Sequence, residues 1–220
     1  MTIAPSPRAI PPMLCAIAII QMLAVEALVI ATRTDGYNRV DRYVSELGGP
    51  WFPLSWATLM DVSILVASLA LIALAAWGTA ARLIPGAYAG IMVSGAAGGF
   101  LIALFPLSGG SPLHGIGANA LFSLLPVALV LSATAATYSV PRPWLRAVVG
   151  ILGVVGFLGF TLHASMIPIA GGLGLTQRLA VYPSLLGAVA LCALLAGSRP
   201  RGGLPRGGAS VPPRGGASVR

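Results

Sequence analysis

The sequence contains no lysine, only five acidic residues, and just two histidines and two cysteines. Charged side chains make up 8% of its 220 residues, against about one quarter in soluble domains. Such a deficit excludes an ordinary soluble fold, and the mean hydropathy of +0.91 agrees. Two cysteines, Cys15 and Cys192, exclude a disulfide framework and read as small apolar fillers. All 13 basic residues are arginine, and five lie beyond residue 198, so the net charge of +8 describes a tail more than a binding face. A nucleic-acid partner needs a basic face with reading elements, and the sequence supplies none. Also absent are a Gly-x-Ser-x-Gly elbow, a His-Glu-x-x-His helix and a Walker loop. The missing lysine, beside abundant Ala, Gly, Pro and Arg, points to a GC-rich bacterial genome.

What is present is six apolar stretches, at 13–32, 56–78, 84–105, 114–138, 144–169 and 178–197. A membrane-crossing helix needs about 20 residues, so six crossings use most of the chain. The expected fold is all-α, a polytopic bundle of six transmembrane helices. A short segment, 1–12, precedes this domain of residues 13–197. The tail, 198–220, repeats Pro-Arg-Gly-Gly three times and is expected to be disordered. The first stretch is too long for a signal-peptide core and contains Glu26, so it reads as an uncleaved helix.

Six crossings put both termini on one side. That side holds Arg8, Arg82, Arg142, Arg146 and the five arginines past residue 198, nine against the four at Arg33, Arg39, Arg42 and Arg178. The positive-inside rule then places both termini in the cytoplasm of a plasma-membrane protein. Small residues recur every four positions at Gly86, Gly90, Ser94 and Gly98, and every three at Gly150, Gly153, Gly156 and Gly159. Both series predict faces where helices pack closely in lipid.

The rare polar groups converge on the other side. At about 1.5 Å per residue, Glu26 lies roughly 9 Å inside the outer end of its span and Asp61 about 8 Å inside its own. Asn119, His163 and Tyr182 fall at comparable depths, with His114 at the rim. Singly, each is accounted for as packing or as a polar link between helices. Together, on five helices, they predict a polar cavity near the extracytoplasmic surface, because ionisable groups in hydrocarbon face the bundle interior or water.

At the loops the sequence becomes recognisable. The segment Arg33-Thr-Asp-Gly-Tyr-Asn-Arg-Val-Asp-Arg-Tyr-Val-Ser-Glu-Leu-Gly resembles the first loop of a bacterial six-span family catalogued as domain of unknown function 998. Its landmarks here are Tyr37, Asp41, Ser45 and Glu46. Phe105-Pro106, Leu113-His114-Gly115, and Gly174-Leu175 with Arg178-Leu179 follow in the family's order, so the resemblance covers about residues 13–197. Two positions depart: Thr34-Asp35 replaces a proline region, and Gln177 stands where relatives often carry Glu. The resemblance implies an integral membrane protein with its motif-bearing loops on one side, and no established reaction.

Tyr37, Tyr43, Trp51, Phe52 and Trp56 are spaced through the first loop, which suits an element lying at headgroup level. Ser45 and Glu46 are expected to cap it or to pair with Arg178 or Arg42. Three functions from different classes fit this pattern. The first is a non-enzymatic protein whose polar cavity recognises a lipid headgroup or a membrane partner, including a second copy of the chain. The second is a metal-assisted intramembrane hydrolase acting on a lipid, with His114, His163 and Asp61 as ligands and Glu26 as base. The third is a small proton- or cation-coupled transporter using Glu26 and Asp61. The sequence assigns no cofactor.

Overall fold

The structure, a computed structural model, describes residues 8–49, 55–135, 138–139 and 142–200. Six helices follow in order: α1 (Ile10–Ala31), α2 (Trp56–Ala80), α3 (Gly86–Leu104), α4 (Pro112–Thr134), α5 (Pro143–Ala164) and α6 (Leu173–Ala196). Each is long and apolar enough to cross a membrane, with mean hydropathy between 1.7 and 2.5. The chain is therefore a multi-pass membrane protein. Trp51 and Phe52 lie outside the described residues, as do the first seven residues and the repeats of the tail beyond residue 200.

Local chemistry sets the helix ends. Ser55 caps α2 by accepting from Thr58 N–H at 3.3 Å, and the Thr58 hydroxyl accepts in return from Ser55 N–H at 3.1 Å. Ser111 caps α4, whose first residue, Pro112, has no N–H to leave unsatisfied. Helices α2 and α5 both stop on a residue in left-handed conformation, Arg82 (φ 57°) and Met166 (φ 55°). After each, paired backbone bonds return to the last turn, Leu83 N–H to Gly78 and Ile167 N–H to Leu162, the Schellman closure. For α5 this halts the helix five residues before the apolar run ends at Ile169.

The helices form a closed ring, α1 beside α2, α2 beside α3, and so on to α6 beside α1, with α6 also reaching α4 and α2. Consequently α6 is the most enclosed, 61% of its apolar window being buried against 28% for α1 and α5. The three-residue glycine series behaves as expected. Gly153 faces Pro126 and Val130 of α4, while Gly156 and Gly159 face Ala180, Ser184 and Leu179 of α6, so α5 fits closely between them. The four-residue series does not. Gly86, Gly90 and Ser94 are exposed, and only Gly98 reaches a neighbour, meeting the Gly117 carbonyl of α4. A four-residue step advances about 400° around a helix of 3.6 residues per turn, so the series winds off its starting face. The packing face of α3 instead runs through Gly95, Gly98 and Gly99.

Two ends of the bundle result. At the terminal end, a two-residue antiparallel ladder joins Tyr138–Ser139 to Arg199–Pro200. At the opposite end, the first loop folds back over the helices through a 3-10 turn, Val44–Leu47, whose Val44 and Leu47 are buried in the core. The first loop is thus anchored inward by these two side chains.

Candidate binding site beneath the first loop

Helix α6 begins at Leu173, five residues earlier than its apolar run, and this brings Arg178 into the bundle. Gly172 and Gly174 permit it. A Cβ at Gly174 would strike the carbonyl oxygens of Arg39, Val40 and Arg42, and one at Gly172 would strike Val40. Leu175 N–H then donates to Val40 at 3.1 Å, sealing helix to loop.

Arg178 is 4% exposed and Glu26, across on α1, is 1% exposed. Arg178 Nε and Nη2 donate to Glu26 Oε1 at 3.1 and 3.0 Å. Nη1 donates to the Arg39 and Arg42 carbonyls at 2.7 and 2.9 Å, and Nη2 also reaches the Tyr37 hydroxyl at 2.7 Å. Tyr182 OH donates to the same Glu26 oxygen at 2.8 Å. A guanidinium has five N–H donors in a fixed fork; here they are directed at protein acceptors. This is a buried ion pair whose cation gathers the first loop.

Two more buried side chains pin that loop. Gln177 Oε1 accepts from Val44 N–H at 2.6 Å, and its amide approaches Ser45 Oγ at 3.5 Å. An amide both accepts and donates at this position, where a carboxylate could only accept. Asp61 of α2, 1% exposed, accepts from Gly49 N–H at 3.0 Å, and Gly48 lies against the same carboxylate. Thus α2 holds the end of the loop and α6 holds its middle.

The remaining sequence candidates take separate places. His114 is buried, with Nδ1 2.9 Å from the Phe105 carbonyl. His163 is half-buried, edge-on to Tyr43 at 5.4 Å and to Phe122 at 6.4 Å. Asn119 is exposed and donates to Gly115 of its own helix at 2.9 Å, so it stands apart from the buried groups. Asp41 is exposed and accepts from Asn38 at 2.7 Å. Glu46 accepts from Arg42 Nε at 2.7 Å and from Tyr43 N–H at 2.8 Å, capping the 3-10 turn. Of its two expected arginine partners, Glu46 takes Arg42, and Arg178 takes Glu26.

Outside the bundle, Asp35 bridges Arg33 and Arg42. The Arg33 guanidinium, then Arg42, hold the Asp35 carboxyl below the usual carboxylate range, although it stays solvent-accessible. Tyr37 lies beneath three guanidiniums, those of Arg33, Arg42 and Arg178 at 5.4 to 5.8 Å from its ring centre. Burial pushes its phenol up, offset in part by the Arg178 hydrogen bond.

Directly inside the first loop lies a cavity of about 40 Å³. Its walls are apolar, among them Met22, Ile64, Ile102, Leu125 and Leu185 from five helices. Ser45, Gln177, His114 and Ser184 border it as well, but the surface it exposes is apolar. Sequence reasoning missed Ser184, and also Gln21, whose amide ties α1 to the Ser63 carbonyl of α2 at 2.9 Å. Both are polar residues inside apolar runs, the signal that had singled out Glu26. Among the described residues no group of three His, Cys, Asp or Glu side chains is placed to hold a metal ion.

Neither a curated protein nor a solved structure matches this chain. The profile of one family, described as "Protein of unknown function (DUF998)", matches residues 16–194. That match runs from within α1 to within α6, taking in the first loop and the four helices between, and the chain belongs to this family.

Proposed function

We propose that this protein is a non-enzymatic membrane receptor for a lipid, seated beneath the first loop at the extracytoplasmic side of the plasma membrane. The observation that carries the reading is the cavity itself: apolar walls from five helices, with Ser45, Gln177 and His114 beside its loop roof. Its apolar lining suits a hydrocarbon segment of a lipid, and Ser45, Gln177 and His114 border it on the loop side. The volume holds only a few water-sized groups, so a larger ligand enters by lifting the Val44–Leu47 roof.

The buried charges support binding over chemistry. Glu26 is engaged by both Arg178 and Tyr182, which ties this carboxylate into the fold rather than to a transported proton. A zinc hydrolase needs three protein ligands around an open position, and Asp61, His114 and His163 are turned to different partners. The arginine excess at the terminal end supports cytoplasmic termini.

Mass spectrometry of lipid retained by the purified protein tests the proposal. Wild type should carry one lipid class in stoichiometric amount, and Ala118→Phe, which fills the cavity wall, should lose it while remaining folded. Identical lipid content in the two proteins would refute it.

A further inference from the structure

A lipid-sized feature lies on the outside of the bundle, at the opposite end. Between α4 and α5 runs a groove of about 480 Å³, lined by Val130, Ala133, Gly150, Ile151 and Val154, with Arg146 at its mouth. A further stretch of 260 Å³ shares Val130 and Val154 and continues past Pro126 to Phe157 and Leu158. Gly150 adds no side chain to this groove, and Ile151, Val154 and Leu158 stand exposed along it.

Its length matches one acyl chain. Twelve helical positions separate Arg146 from Leu158, about 18 Å of rise, and one leaflet's hydrocarbon is about 15 Å deep. Its mouth is at headgroup level, since Trp144 is 59% exposed beside it and Arg142 is exposed at the start of α5. The charge is one-sided. All five acidic residues of the sequence precede residue 62, while Arg142 and Arg146 stand at the start of α5. We infer that the groove is a site for an anionic phospholipid, one acyl chain lying along Val130, Ile151 and Val154 and the phosphate held by Arg142 and Arg146. This site is independent of the cavity under the first loop.

The test uses the full chain in phosphatidylcholine vesicles doped with phosphatidylglycerol or phosphatidylcholine carrying a photoactivatable acyl chain. Peptide mapping of the cross-links should place phosphatidylglycerol on 126–134 and 147–158, in excess over phosphatidylcholine. Arg142→Gln and Arg146→Gln should each reduce that excess about fivefold, and the lysine variants should retain it. Ala147→Trp, which blocks the groove, should abolish labelling there by either lipid. Equal labelling by the two lipids would overturn the inference. So would an excess that survives in the double glutamine variant, since the arginines of the tail would then be its source.

Discussion

Arg178 and Glu26 stand 152 residues apart in sequence, yet Nε and Nη2 of the arginine converge on a single oxygen of the glutamate. The pair joins α6 to α1, and through the Arg39 and Arg42 carbonyls it joins both to the first loop. Removing one member of a buried pair costs about 3–5 kcal/mol, because the survivor stays charged in a low-dielectric interior. Arg178→Ala and Glu26→Ala should each lower the thermal midpoint sharply in detergent. The double variant should lose less than the sum of the two. Additive losses would show that the pair is not coupled.

Glycine substitutions should separate the two faces of α3. A methyl at Gly90 meets nothing within 4 Å, so Gly90→Ala should gain about 1 kcal/mol of helix stability. A methyl at Gly98 meets Gly117 O and Leu121 N, so Gly98→Ala should cost about 1–3 kcal/mol by forcing α3 from α4. Thermal unfolding of both variants against wild type checks the sign of each.

The pH dependence of the first loop follows from Asp35. Arg33 and Arg42 favour its ionised form, so its native value lies below its unfolded one. Its contribution is complete above the ordinary carboxylate range and declines as pH falls below it, through the lowered native value. Hydrogen exchange across residues 33–47 should therefore be unaffected by this group between pH 8 and 5, once corrected for intrinsic rates. Asp35→Asn should raise exchange throughout that interval, and an unchanged profile would remove Asp35 from the loop's stability.

The six crossings were legible because each is a long apolar run. Depth along a helix was legible too: Glu26, Asp61 and Tyr182 do lie toward one end of the bundle. Direction around the helix was not, because a helix apolar on all sides gives no sign of which face is enclosed. Asn119 has a depth like that of its neighbours and points outward. The start of α6 was obscured by Gly171, Gly172 and Gly174, which read as loop. Gly174 is inside the helix because loop carbonyls press against it. The partnership of Arg178 with Glu26 has no local pattern at all, since it depends on where the ring of helices closes.

Topology can be read directly. In a background lacking Cys15 and Cys192, Gly109→Cys and Ser198→Cys place thiols at opposite ends of the bundle. An impermeant maleimide applied to intact cells should label the first and spare the second. The reverse pattern would turn the first loop toward the cytoplasm.

The central claim, a lipid held beneath the first loop, is tested most directly by thermal unfolding of delipidated protein titrated with the lipid recovered from wild type. A ligand that binds only the folded state adds about 2.7 kcal/mol at one hundred times its dissociation constant. The wild-type midpoint should therefore climb with lipid concentration and go on rising logarithmically, while that of Ala118→Phe stays flat. Parallel rises in the two proteins, or no rise in wild type, would contradict the account.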